Sequence, residues 1–160
     1  MPQYLVDLAK IDPTKVVADS EAIRVHNPQR YEMEQLTRVC HFDLEAGETA
    51  GVLELPEDPW WGRGHVPGRP IMPGVLMLEA AAQLCSWCAW QVYDAQAYAG
   101  RFFGFGGLDD VKFRWVVLPG QTLLILGKRL EVRDRRAVFD TQGVVDGRIV
   151  FNARITGMWV

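Results

Sequence analysis

The segment G-H-V-P-G-R-P-I-M-P-G-V-L-M-L-E-A-A-A-Q, residues 64–83, places a histidine in a stretch that cannot form regular structure and a carboxylate fourteen positions later in one that can. His65 is surrounded by Gly64, Pro67, Gly68, Pro70, Pro73 and Gly74, which mark a fixed loop. From Val75 to about Trp90 the residues are helix formers. Pro73 suits a first helical turn, where its missing N–H costs nothing. The N–H groups of Gly74 and Val75 are then left unpaired at the positive end of the helix dipole. An imidazole able to accept a proton, a carboxyl able to donate one and backbone donors for a developing oxyanion are thereby brought to one region.

The helix that carries the carboxylate is apolar on almost every side: Leu76, Met77, Leu78, Ala80, Ala81, Leu84, Cys85, Trp87, Cys88 and Trp90 leave it no solvent-facing stripe. Such a helix is buried. Its polar exceptions, Glu79, Gln83 and Ser86, fall at i, i+4 and i+7 and share one face. Burial disfavours the charged carboxylate, so Glu79 is expected to serve as a proton donor, with the Gln83 amide one turn away to orient it.

With 160 residues, 49% of them hydrophobic, the chain has the size of a single domain with its own core, and no linker divides it. No uncharged run is long enough for a membrane span, and the N-terminus lacks the pattern of a signal peptide, which together predict a cytoplasmic protein. The odd cysteine count (Cys40, Cys85, Cys88) argues against a disulfide framework. Cys85 and Cys88 form a C-x-x-C, but within an apolar helix they read as small buried hydrophobes, and no further ligands stand at metal spacing. No metal or cofactor is called for.

Net charge is −3 overall, yet it is −7 over residues 1–100 and +4 over 101–160. The basic part holds Lys112, Arg114, Lys128 and Arg129, which as a group suit an acidic partner. Nucleic acid is not indicated, since no finger, recognition-helix or aromatic ribonucleoprotein pattern is present.

Residues 1–30 carry little pattern beyond a short helical turn at 20–25 and breaks at Asp12-Pro13 and Asn27-Pro28. Between Glu34 and Leu55, two alternating runs joined around Glu45-Ala46-Gly47-Glu48 predict a hairpin. Residues 93–107, with Gly104, Gly106 and Gly107, read as a connection; the glycines lack the spacing of a dinucleotide site. Four runs then follow, beginning with V-K-F-R-W-V-V-L and separated by Pro119-Gly120, Arg133–Arg136 and Asp146-Gly147. Strands, one buried helix and a meander predict an α+β fold, an antiparallel sheet wrapped around the helix.

From about Asn27 onward the chain resembles the (3R)-hydroxyacyl-acyl-carrier-protein dehydratases of type II fatty acid synthesis, the FabZ/FabA enzymes, whose fold is the hot dog. The resemblance rests on residues 64–83, on V-K-F-R and on Pro119-Gly120. Glutamate at position 79 is similar to the Z-type; the A-type, which also isomerises its product, has aspartate there. The resemblance implies that His65 removes the C2 proton, Glu79 protonates the departing C3 hydroxyl, Gly74 polarises the thioester carbonyl and Gln83 orients the acid. It further implies an acyl tunnel involving Trp60, Trp61, Val66, Phe102 and Phe103, and a homodimer, extending to a trimer of dimers, with His from one subunit facing the acid of the other. The partner it implies is an acidic acyl carrier protein bearing a phosphopantetheine-linked chain. Pro28-Gln29-Arg30-Tyr31 stands where the family has Pro-His-Arg-Tyr, and Val66 where it has phenylalanine. A hot-dog thioesterase and an idle carrier-binding subunit remain the alternatives from other classes.

Overall fold

Alternating apolar residues and three tight turns shape the C-terminal half of the computed structural model, which describes residues 3–160; the first two positions of the N-terminus lie outside it. Its elements are a short helix α1 (Ser20–Arg24), strands β1 (Arg38–Asp43) and β2 (Glu48–Glu54), the long helix α2 (Gly74–Trp90), and strands β3 (Phe103–Phe113), β4 (Thr122–Arg133), β5 (Arg136–Val145) and β6 (Arg148–Trp159). The strands form one six-stranded sheet in the order β1-β2-β4-β5-β6-β3, every pairing antiparallel. Asp146 and Gly147 both take positive φ (48° and 72°), the geometry a two-residue hairpin turn requires between β5 and β6.

The sheet curls around α2, which packs on β2, β3, β4, β5 and β6. Leu84 at mid-helix is fully buried, and so are Leu123, Ile125, Phe139 and Phe151 in the same core. This is the α+β hot-dog arrangement, and the expected helix is found within one residue: Pro73 sits just outside as the N-cap rather than inside the first turn. The sheet's other face is covered by the N-terminal segment, whose Val6 packs with Cys40, Ala50, Val52, Leu126 and Val144. The Leu5 N–H also donates to Gln142 Oε1 at 2.9 Å, which ties the segment to β5.

Two expectations are corrected. Gly104, Gly106 and Gly107 are not a connecting loop but the start of β3, paired with β6 through a bulge between Phe105 and Gly107. On the neighbouring strand Gly157 leaves room for the Phe103 ring; a Cβ at 157 would come within 1.9 Å of it. The run V-K-F-R-W-V-V-L is a strand only as far as Phe113; beyond it the chain leaves the ladder, and Met72 N–H donates to Val117 O at 2.8 Å.

Among the described residues, no helix is long and apolar enough to cross a membrane.

Candidate active site

Glu79 lies on the second turn of α2, half-buried, and its surroundings are set by the irregular segment before β1. Gln83, one turn on and 2% exposed, donates through Nε2 to Glu79 Oε1 at 2.8 Å and to the Met33 carbonyl at 2.7 Å. Its Oε1 accepts from the Gln35 N–H at 2.9 Å, and Asn27 Nδ2 donates to its carbonyl at 2.8 Å. A buried amide left unpaired costs about 1–3 kcal/mol, so this network fixes which end of Gln83 points at the carboxylate. Gln29 adds a longer contact, Nε2 to Glu79 Oε1 at 3.4 Å. One carboxyl oxygen is held, and Oε2 makes no hydrogen bond among the described residues.

Beside Glu79 a cavity of about 220 Å³ runs along α2 past Ala82, Cys85 and Ser86, walled by Phe102, Phe103, Phe105, Ile155 and Gly157. Phe102 and Phe103, expected in an acyl tunnel, are therefore beside Glu79. Trp60 and Trp61 line a different hollow with Tyr31, Glu34 and Leu55. Trp61 is buried, and its carbonyl accepts the His65 N–H at 2.9 Å, so it anchors the histidine loop. Val66 lines neither hollow; its carbonyl accepts the Arg69 N–H.

His65 is exposed, at a second hollow of about 490 Å³ with Ile71, Pro73, Gly74, Val75, Phe113 and Trp115. Its Nδ1–H donates to the Ile71 carbonyl at 2.9 Å. A carbonyl can only accept, so this bond requires the proton on Nδ1 and, in the neutral imidazole, leaves a free lone pair on Nε2. The N–H groups of Gly74 and Val75 open α2 beside it and make no hydrogen bond among the described residues. Gly74 has no room for a side chain: a Cβ would lie 2.8 Å from the Phe113 ring.

His65 and Glu79 thus line separate hollows within one chain. The basic residues are divided as well. Arg114 borders the His65 hollow and donates to Asn152 Oδ1 at 2.8 Å, with exposed Lys112 beside it. Lys128 is ion-paired with the buried Glu48 at 3.2 Å, and Arg129 donates to the Leu44 carbonyl at 2.8 Å. The row through Lys112 runs across Asn152 and Gln142 to Leu126, which puts Lys128 three strands, about 14 Å, to the side. Cys85 and Cys88 are free and buried, and burial pushes the Cys88 thiol up to about 12, so both stay protonated core residues.

Asn27, Gln29, Met33 and Gln35 were not legible as site residues. Two of these four act through backbone groups, which leave no sequence signature; only the Pro28–Tyr31 match pointed to this segment.

The architecture, a helix wrapped by one antiparallel sheet, is shared with solved hot-dog structures. One is the dehydratase heterocomplex ApeI:P from Xenorhabdus doucetiae, similar at TM-score 0.72 and 14% identity over 86% of this chain and 90% of that one. Others are a mutant thioesterase from Pseudomonas aeruginosa (TM-score 0.59, 13% identity, 77% and 80% covered) and a hypothetical thioesterase with coenzyme A from Streptococcus pneumoniae (0.53, 13%, 71% and 82%). At these identities the likeness establishes the fold alone. The family is established separately: the FabA-like domain profile matches residues 27–154, and the chain belongs to that family.

Proposed function

We propose that this protein dehydrates a (3R)-hydroxyacyl thioester carried on acyl carrier protein to the trans-2-enoyl thioester. One observation carries the reading: base and acid are each held by one atom and left free at the other, His65 through Nδ1 on Ile71 and Glu79 through Oε1 on Gln83. In the reaction His65 Nε2 takes the C2 proton, the C3–O bond breaks as the C2=C3 bond forms, and Glu79 Oε2 protonates the departing oxygen as water. Negative charge gathering on the thioester oxygen is met by the Gly74 and Val75 N–H groups and the helix dipole. Each proton-transfer group contributes about 10²–10⁴ in rate.

The separation of the two groups within a chain is resolved by pairing two copies. β3 is an edge strand of eleven residues, roughly 35 Å long, with Phe105, Leu108 and Phe113 exposed. Its Phe103 end walls the Glu79 cavity and its Phe113 end walls the His65 hollow. Two β3 strands paired antiparallel about a two-fold axis set one end against the other, so His65 of one protomer meets the partner's Glu79. Arg114, which borders the His65 hollow, and exposed Lys112 two residues before it would receive an acidic carrier.

The test is product analysis with a (3R)-hydroxyacyl carrier-protein substrate. Conjugated enoyl thioester is expected. Free carrier thiol would indicate a thioesterase, binding without either product an idle subunit, and cis-3-enoyl product an added isomerase step.

A further inference from the structure

Ser86 is 3% exposed and lines the Glu79 cavity, and its hydroxyl has no hydrogen-bond partner among the described residues. A helical serine ordinarily relieves this by bonding to the carbonyl one turn back, and burying a hydroxyl unpaired is costly. Ser86 stands seven residues beyond Glu79 on the same face of α2, about 10.5 Å further along the axis. Between them the helix presents only Ala82 and the protonated thiol of Cys85, while Phe102, Phe103 and Phe105 form the opposite wall. Gln29 lies at the Glu79 end of the lining, so beyond those two residues the cavity is an apolar channel with the Ser86 hydroxyl as the polar group farther along it.

We propose that this channel selects an acyl chain bearing a hydroxyl near its far end, recognised by Ser86. The inference rests on the dehydratase reading, which places C3 of the substrate at Glu79. An extended chain covers about 3.5 Å in three bonds, so 10.5 Å corresponds to roughly nine bonds from C3 to the polar atom. An all-methylene chain would cover the Ser86 hydroxyl and leave it unpaired. A chain hydroxyl can accept from it or donate to it, making the one bond it lacks. Pockets built to hydrogen-bond a substrate hydroxyl discriminate strongly against the analogue that lacks it.

The experiment compares N-acetylcysteamine thioesters of (3R)-hydroxybutyrate, (3R)-hydroxydodecanoate and the nearly isosteric (3R),11-dihydroxyundecanoate. The native protein is expected to turn over the dihydroxy substrate at least about tenfold better in kcat/KM than the dodecanoate. Ser86→Ala should abolish that preference and leave the hydroxybutyrate rate unchanged, since the short chain does not reach position 86. Binding of the unreactive dodecanoyl and 11-hydroxyundecanoyl thioesters, measured by calorimetry, reads the same preference without turnover. Equal or better handling of the methyl-ended chain by the native protein, or a preference that survives in Ser86→Ala, overturns the proposal. Failure of the hydroxybutyrate thioester to lose water would instead count against the dehydratase reading, and the calorimetric comparison would still decide the role of Ser86.

Discussion

His65 and Glu79 occupy separate hollows of one chain, and a single strand, β3, walls both, Phe113 at the first and Phe103 at the second. If two copies complete the site, proteins lacking opposite halves should rescue each other. Mixing His65→Ala with Glu79→Gln after subunit exchange should restore up to about a quarter of native activity, because half the dimers are hybrids and each hybrid holds one intact site of two. Activity that stays at the level of the separate mutants, with exchange proven by mass spectrometry, would sink the shared site.

Separately, His65→Ala and Glu79→Gln should each slow dehydration by about a hundredfold or more with the fold retained. Glu79→Gln is the sharper of the two, since it keeps the shape that Gln83 holds and removes only the acidic proton. Near-native turnover by either variant, measured from enoyl absorbance, would remove that residue from the mechanism.

The basic residues are expected to behave differently from one another. Lys112→Glu should raise KM several-fold for carrier-bound substrate and leave a small thioester mimic unaffected, while added salt weakens only the carrier reaction, screening over about 8–10 Å. Lys128→Ala should leave KM unchanged, because its ammonium is already paired with Glu48. Equal salt dependence for both substrates would show Lys112 to be a solvated side chain and no more.

Acid should destabilise the protein through His26, which stacks on Trp90 at 5.1 Å and whose partial burial holds it below the usual histidine value of 6.5. The unfolded chain then binds the proton more readily than the native one. Stability is undiminished above 6.5, falls as the pH drops through 6.5, and levels off below the lowered native value. His26→Phe should flatten that part of the profile in urea titrations between neutral and mildly acidic pH; an unchanged slope would assign the loss to other groups.

What could be read from the residues followed from how each signal arises. The α2 helix announced itself because an unbroken apolar run has one stable placement, and the β5–β6 turn because Asp146-Gly147 supplies two positive-φ positions at once. The start of β3 was hidden, since Gly104, Gly106 and Gly107 carry no alternating side chains and the bulge breaks the period of two. The shell around Glu79 was hidden for another reason. Met33 and Gln35 contribute a carbonyl and an N–H, which every residue possesses, so their part is decided by where the chain runs.

The contact between Phe103 and Gly157 constrains how this protein can change over generations. A methyl group at 157 would stand 1.9 Å from the Phe103 ring, while that ring also walls the Glu79 cavity. Widening the channel by shrinking residue 103 opens a gap over the glycine, and filling position 157 first forces the Phe103 ring out of its place. The route is therefore ordered: the aromatic must yield before the glycine can grow, and the lineage must pass through a loosely packed intermediate to reach a different bore.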